Sequence, residues 1–470
     1  MNHSPNATDG RSIILREIWL REIWAALGGN ASLPSDVSFA GDGDLASAFA
    51  VSDLAAGAIA AAGLAVAELI AAGGGAQPKV HVDRRLASFW FDMTLQPVGW
   101  SMPPPWDPIA GDYKAADGWI RLHTNAPHHR QAALAVLQTP ADKEAVTAAV
   151  SRWRIDDLEA AVVDQGGCAA AMRDLTAWAG HPHGKAVTGE PLVWIDPGEA
   201  APDADVPLSP ARPLSGMRVL DLTRVLAGPV ATRFLAGFGA DVLRIDPPGW
   251  DEPGVIPEVT LGKRCARLDL RQPGDRGVFE DLLASADVLV HGYRPDALHR
   301  LGLDAAARRR LRPGLVDISL DAYGWTGPWR ERRGFDSLVQ MSSGIAAEGM
   351  RRFGTDRPKP LPVQALDHAT GYIMAAAAVR GLTRRMTERV GSVTRTSLAR
   401  TAALLAAAPR PGQTAAFADK TDADFNPAIE QTGWGPARRI KPPLVVDGAG
   451  MQWELPANAL GSALPNWKMR

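Results

Sequence analysis

From Met217 to Leu320 the chain alternates short apolar runs with helix-length segments, and this rhythm restricts its fold more than any other feature. Met217 to Thr223 (MRVLDLT) predicts a strand, Val230 to Phe238 a helix ending at Gly239, and Asp241 to Asp246 (DVLRID) a second strand. The alternation continues with Arg267-Leu-Asp-Leu, a helix over about Pro273 to Ala286, the apolar strand Asp287 to Val290, a helix after Pro295 and a strand over Leu315 to Leu320. Strands separated by helices of about ten residues fold as a doubly wound parallel sheet, with the ligand at the carboxyl ends of the strands. The expected fold class is α/β: a Rossmann-like doubly wound parallel sheet accompanied by a smaller α+β domain.

The remaining segments are arranged around that sheet. Arg16-Glu-Ile-Trp recurs at Arg21, five residues on, so its apolar positions rotate around a helix, and no function attaches to it. Val51 to Phe91 reads as a Gly- and Ala-rich helix, a Gly73-Gly-Gly75 break and a strand around Val80 and Val82. The run Met102-Pro-Pro-Pro-Trp106 reads as a linker. Gly118 to His123, a helix after Pro127 and another near Asp157 to Val163 form the small α+β unit, followed by a linker over Asp196 to Pro213. The expected division is 1–107, a partial repeat around Asp53; 108–200, the small domain; 201–215, a linker; 216–407, the main sheet; and 408–470, a linker and tail. Within that tail, 408–440 carries no reading beyond a Pro-containing linker. Ser52-Asp-Leu-Ala-Ala-Gly57 and Leu366-Asp-His-Ala-Thr-Gly371 each open a helix pattern and point to an internal duplication. The tails Pro191-Leu-Val-Trp and Pro443-Leu-Val-Val close the two copies.

Composition removes several function classes. Lys and Arg number 50 against 52 Asp and Glu, so no global positive field recruits nucleic acid or an anionic membrane. Two cysteines, Cys168 and Cys265, build neither a disulfide framework nor a metal ribbon, and no metal site is expected. With no basic-then-apolar start, we expect a reduced, cytoplasmic protein. The apolar run Leu54 to Ala67 is short of the roughly 20 residues that span a bilayer, and reads as a buried helix.

Three motifs bear on chemistry. The turn Arg224-Val-Leu-Ala-Gly-Pro229 holds one glycine of the G-x-G-x-x-G that a nicotinamide dinucleotide requires, and Gly237-Phe-Gly239 serves as a helix C-cap. Lys263, Arg264, Arg267, Arg271, Arg294 and Arg300 lie near successive strand ends; they suit phosphate oxygens or, individually, a solvated helix face. Asp367 sits between a Pro-containing loop and an Ala-rich helix, where a carboxylate serves either as a nucleophile toward a thioester or as a helix N-cap. His123, His128, His129, His181 and His183 lack the partners of a metal site and are given surface or ordinary polar roles, and Cys168 a buried structural one.

These residues also carry a family likeness. Leu214-Ser-Gly-Met-Arg-Val-Leu-Asp-Leu-Thr-Arg-Val-Leu-Ala-Gly-Pro229, Gly239-Ala-Asp-Val, Gly262-Lys-Arg, Leu268-Asp-Leu, Ala286-Asp-Val-Leu-Val, Tyr293-Arg-Pro, Gly324 to Pro328, Gly334-Phe-Asp336 and Leu366-Asp-His-Ala-Thr-Gly371 resemble, in order, the class III (CaiB/BaiF) CoA-transferases. Asp117-Gly-Trp-Ile-Arg to Ala160 and Gly166 to His183 resemble that family's small domain more loosely. The resemblance implies a CoA-binding Rossmann-like domain and maps the nucleophile onto Asp367, which attacks an acyl-CoA and passes through an aspartyl-CoA thioester. It implies CoA contacts at Leu226, Ala227, Leu268, Arg271, Gly292, Tyr293, Arg294, Arg300 and the loop from Arg333 to Asp336. CoA and acyl-CoA enter as substrates beside a carboxylic acid, no cofactor is tightly bound, and a homodimer is the expectation, although a permuted chain can equally be a pseudo-dimer. The domain order departs from the family pattern: a small-domain-like unit precedes the CoA domain and almost none follows Asp367. Two partial copies then make one permuted enzyme, and Asp53 occupies the nucleophile position of a half without its own CoA domain. Where the family's racemases carry a proton-exchanging His, this chain has Phe335, which favours transfer over racemisation. A CoA-binding homologue without turnover is the third reading.

Overall fold

The computed structural model describes residues 7–201, 208–249, 251–293, 297–412 and 415–468. The first half opens with helix α1 (Ala7–Ala26), strand β1 (Val37–Ala40), α2 (Val51–Ala72), β2 (Val80–Asp83), α3 (Arg84–Phe89) and β3 (Leu95–Pro97). A small unit follows, with β4 (Gly111–Lys114), β5 (Trp119–Leu122), α4 (Pro127–Leu137), α5 (Lys143–Val150), α6 (Ile155–Asp164), β6 (Ala169–Ala171), α7 (Leu175–Gly180) and α8 (Pro182–Gly189). Its strands pair antiparallel as β4-β5-β6, and its own apolar cluster centres on Ile120, Leu122, Val146, Leu158 and Val162.

After β7 (Trp194–Ala200) comes the alternating stretch: β8 (Arg218–Leu222), α9 (Ala227–Gly237), β9 (Asp241–Asp246), α10 (Ile256–Val259), β10 (Lys263–Arg267), α11 (Pro273–Ala284), β11 (Val288–His291), α12 (Ala297–Arg300), α13 (Ala305–Leu311) and β12 (Val316–Asp321). Then come α14 (Asp336–Ser342), α15 (Ile345–Phe353), the 24-residue α16 (Ala365–Glu388), β13 (Val390–Ser397), α17 (Leu398–Ala407), β14 (Glu430–Thr432), β15 (Gly435–Arg439) and β16 (Leu444–Val446). The main sheet runs β10-β9-β8-β11-β12-β13-β7, parallel throughout except for the antiparallel edge strand β7. The chain is thus α/β with a doubly wound parallel sheet. Strands β8, β11 and β12 are almost wholly buried, as continuous apolar runs covered on both faces must be.

Helices α2 and α16 pack along each other through the centre of the molecule, and every residue of α2 from Val51 to Ala67 is buried. Their first turns are built alike. Ala50 before α2 has φ −77° and ψ 61°, and Gln364 before α16 has φ −75° and ψ 64°. Val51 N–H donates to the Phe49 carbonyl at 2.8 Å, and Ala365 N–H to the Val363 carbonyl at 2.8 Å. A Cβ on Gly57 would lie 3.1 Å from the Arg16 carbonyl oxygen of α1, and one on Gly371 would lie 2.5 Å from the Ala227 carbonyl oxygen of α9. Each glycine therefore lets another helix cross at backbone distance. The strand after each helix ends in a side chain that caps the following helix: Asp83 accepts from Leu86 N–H and Ser397 from Arg400 N–H.

The closing strands are exchanged. β7, from the first half, pairs antiparallel with β13, and β16, from the second, pairs antiparallel with β2 in the sheet β1-β2-β16. Both segments differ from the linker expectation. Trp194 to Ala200 is an edge strand, and within 408–440 the strands β14 and β15 build a third sheet with β3.

Candidate active site

Asp367 is the third residue of α16 and only 7% exposed. It is not the cap of that helix. The capping carboxylate is Asp336, which opens α14 and accepts the Leu366 and Asp367 N–H groups at 2.9 Å each. Gln340, one turn on, donates to Asp336 and accepts Leu361 N–H at 2.7 Å, which fixes the approach to α16. With the cap supplied from outside, the Asp367 carboxylate turns toward α9 and accepts the Ala227 N–H. Asp336 thus positions the helix, whereas the family likeness had placed it among the CoA contacts.

The Ala227 donor is itself held under constraint. Val225 has φ 63°, a left-handed conformation disfavoured for a β-branched residue. The turn is locked from below by Asp221, fully buried at the end of β8, which accepts from Thr223 N–H at 2.9 Å, Thr232 Oγ1 at 2.6 Å and Lys263 Nζ at 3.0 Å. Burial alone would raise the Asp221 carboxyl; Lys263, Arg244 and the threonine hydroxyls outweigh it and hold it below the usual range. Burial lowers the Lys263 ammonium to about 8 against the pull of Asp221.

Three acids meet at the site. Burial pushes Asp367 well above the ordinary carboxylate range, the neighbouring Asp336 and Glu252 carboxylates add to the rise, and the Ala227 N–H opposes it. Burial raises Asp336 to about 6 against its three hydrogen bonds, and raises Glu252 to about 7 against Arg224 and Arg244. Both Glu252 carboxyl oxygens are buried without a hydrogen-bond partner. A desolvated carboxyl of this kind is the environment in which a side chain acquires nucleophilic or proton-transfer roles.

Asp367 also stands where two cavities meet. The smaller, about 290 Å³, lies at the carboxyl ends of β8 and β11 and is lined by Arg224, Ala227, Gly292, Tyr293 and Arg333, with His128 and His129 across from them. The larger, about 480 Å³, is walled by Leu226, Val255, Phe335 and Val363 and by the segment Met102 to Trp106, which the sequence suggested was a linker. Leu226, Ala227, Gly292, Tyr293, Arg333, Asp336 and Asp367 are therefore brought together. Leu268 is buried in the core beside the sheet, and Arg271 points into solvent against Asp269 at 2.8 Å. Arg300, exposed at the end of α12, lines neither cavity, and Arg294 lies outside the described residues. Three of the six cations are held by acids of the fold: Lys263 by Asp221, Arg264 by Asp241 and Arg267 by Asp251.

Three of the five histidines, His123, His129 and His183, are buried, whereas His128 is exposed and His181 partly so. His123 is 3% exposed and stacks on Phe335 with centroids 3.7 Å apart, and His129 is 4% exposed. Neither ring has a hydrogen-bond partner, and burial first, then nearby positive charge, keeps both neutral. Sequence reading missed Glu252, Trp106 and His123; the one available signal was a tryptophan following three prolines. Asp53 has a different fate from Asp367. It is 2% exposed and accepts from Arg84 Nε at 2.7 Å, and the same guanidinium also reaches Asp44 and the Gly43 carbonyl. Asp53 lines neither cavity described above.

Residues 214–427 match the family model described as CoA-transferase family III. Over 209 residues the chain is 34% identical to the acetyl-coenzyme A transferase nodX of Hypoxylon pulicicidum, covering 42% of this chain and 35% of that protein. It is 33% identical over 189 residues to the succinyl-CoA:glutarate CoA-transferase of Mus musculus, covering 37% and 42% respectively. A crystal structure of a hypothetical protein from Mycobacterium tuberculosis aligns with a TM-score of 0.39 at 30% identity, over 42% of this chain and 58% of that one. The chain spans less than half the length of the two curated relatives. Residues 214–427, a little under half of the chain, are thus similar to CoA-transferase family III.

Proposed function

We propose that the protein moves CoA between an acyl-CoA thioester and a carboxylic acid, with Asp367 as the covalent nucleophile. The observation that carries this reading is the position of Asp367: a buried carboxylate on the shared wall of two cavities, with its helix capped by a different acid. The pantetheine thiol end of CoA enters by the smaller cavity, where Arg224 and Arg333 lie near the strand ends, and the acyl group lies in the larger.

An Asp367 carboxylate oxygen attacks the thioester carbonyl, the carbon–sulfur bond breaks, and CoA leaves as the thiolate with a mixed anhydride on the enzyme. The thiolate attacks the aspartyl carbonyl, releases the first acid as its carboxylate and leaves an aspartyl-CoA thioester. The acceptor carboxylate then attacks that thioester, expelling thiolate, which takes the new acyl group from the second anhydride and restores Asp367. No net proton or electron is consumed, so the site needs a nucleophile and a dry, positioned exchange rather than a redox group. CoA acts as a substrate, and Phe335 beside the nucleophile offers no proton-exchanging group of its own.

The test is intact and peptide-mapped mass spectrometry after incubation with acyl-CoA donors and trapping with hydroxylamine. Modification of Asp367, lost in Asp367→Asn, is the expected result. An Asp367→Asn protein that keeps full transferase activity refutes it.

A further inference from the structure

The larger cavity limits which acids the proposed reaction accepts. Every charged side chain that lines it is an acid, including Asp92, Asp107, Asp251, Glu252, Asp336 and Asp367, and among the described lining residues there is no lysine or arginine. Its two histidines do not supply the missing charge. His123 stacks on Phe335, and His368 stacks on Phe91 with centroids 5.3 Å apart. Burial holds His123 well below its ordinary value and takes His368 down to about 3, so both rings are neutral near pH 7.

The cations behind the wall are already engaged: Arg130 pairs with Asp107 at 2.9 Å and Arg267 with Asp251 at 2.7 Å. The Arg121 guanidinium lies 4.9 Å from the Trp106 ring centroid and donates to Asp112 at 2.7 Å. Arg233 and Arg439 both serve the buried carboxylate of Glu258, Arg439 at 3.0 Å. The rest of the wall is apolar or neutral. Met93, Met102, Trp106, Val255, Phe335 and Val363 supply thioether, aromatic and branched aliphatic surface, and a cavity of about 480 Å³ falls in the range that encloses a ligand of drug size. A four-carbon dicarboxylate would leave most of that space unfilled and bury its distal charge among acids.

From these surroundings we infer that the acyl group handled at Asp367 is a bulky, predominantly apolar monocarboxylic acyl group, and that short dicarboxylic acids are excluded. The inference rests on the transferase reading and narrows its substrate. A second carboxylate finds no counter-ion, and an unpaired buried charge is opposed far more strongly than a missing methylene. An alkyl or aryl chain instead gains burial against the methionines and Trp106.

The experiment uses the full chain with octanoyl-CoA, phenylacetyl-CoA, acetyl-CoA and succinyl-CoA, reading Asp367 labelling and kcat/KM for CoA transfer. Octanoyl-CoA and phenylacetyl-CoA are expected to exceed succinyl-CoA by at least about 100-fold. Met102 is half-buried on the cavity rim, so Met102→Arg places a cation there and should narrow the ratio by about 10-fold or more. Succinyl-CoA labelling Asp367 as well as the apolar donors overturns the substrate class while leaving the transferase reading standing. Absence of label from every donor overturns the transferase reading and this inference with it.

Discussion

Asp53 and Asp367 occupy the same position of two similarly built helices, yet their replacement by asparagine should move stability in opposite directions. Asp53 and Arg84 are each 2% exposed and joined at 2.7 Å, so Asp53→Asn removes one partner of a buried ion pair. Such a loss costs about 3–5 kcal/mol. Asp44 and the Gly43 carbonyl still hold the guanidinium, which places the cost near the lower end, about 3 kcal/mol. With an unfolding entropy of roughly 2.1 cal/mol/K per residue, a cooperative chain of 470 residues loses about 1 kcal/mol per degree, so Tm should fall by about 3 °C. Asp367 faces two other acids, and its folded-state carboxyl is raised. A raised acid contributes its stability below its unfolded value and loses it as pH climbs through the folded value, so the Asp367 carboxyl weakens the fold progressively as pH rises. Asp367→Asn should therefore leave Tm unchanged or higher, with a larger gain at pH 8 than at pH 5. Calorimetry of both variants at both pH values, beside labelling by an acyl-CoA donor, is the assay. Asp53→Asn is expected to be destabilised and still labelled, and Asp367→Asn stable and unlabelled. A stabilised Asp53→Asn, or one that folds but loses the label, refutes the assignment of Asp53 to structure.

Two further outcomes follow from the same geometry. Labelling of Asp367 should rise with pH as its carboxyl ionises, and Glu252→Gln, by removing a neighbouring negative charge, should move that rise to lower pH; single-turnover labelling across about pH 5 to 9 reads it, and an unmoved or higher midpoint counts against the three-acid coupling. Gly371→Ala drives a methyl group against the Ala227 carbonyl and Val230 and should cost about 1–3 kcal/mol in chemical denaturation while slowing labelling, because the displaced helix carries the N–H that holds Asp367.

Strands β8, β9, β11 and β12 were legible from their apolar residues, and the start of α16 because a Pro-containing loop gives way to small apolar residues. Strand β10 lies at Lys263–Arg267 rather than over Arg267 to Leu270, and β13, rich in Ser, Thr and Arg, was not read as a strand. Strand β7 was not, since Trp194-Ile-Asp-Pro-Gly-Glu-Ala contains a proline and a glycine and lacks alternation; it is a strand because β13 lies beside it. The cationic cluster shows a different limit. Spacing placed Arg264, Arg267 and Arg271 near strand ends, but Asp241, Asp251 and Asp269 stand close enough to take each one, and only the fold reveals that pairing. His123 gave no local sign of burial, because the ring that covers it, Phe335, comes from another part of the chain.

The exchange of closing strands also sets a timetable for synthesis. Strand β2 waits for β16 and helix α2 waits for α16, so the first half leaves the ribosome with one sheet edge unpaired and with α2 covered by α1 and α3 but not by α16. At about 5–20 residues per second that interval is on the order of tens of seconds. During it the chain displays Val51–Ala72, a helix of 22 residues long and apolar enough to cross a bilayer, which the finished molecule keeps inside. Until the second half arrives, the face of that helix that α16 later covers stays open to any apolar partner the nascent chain meets.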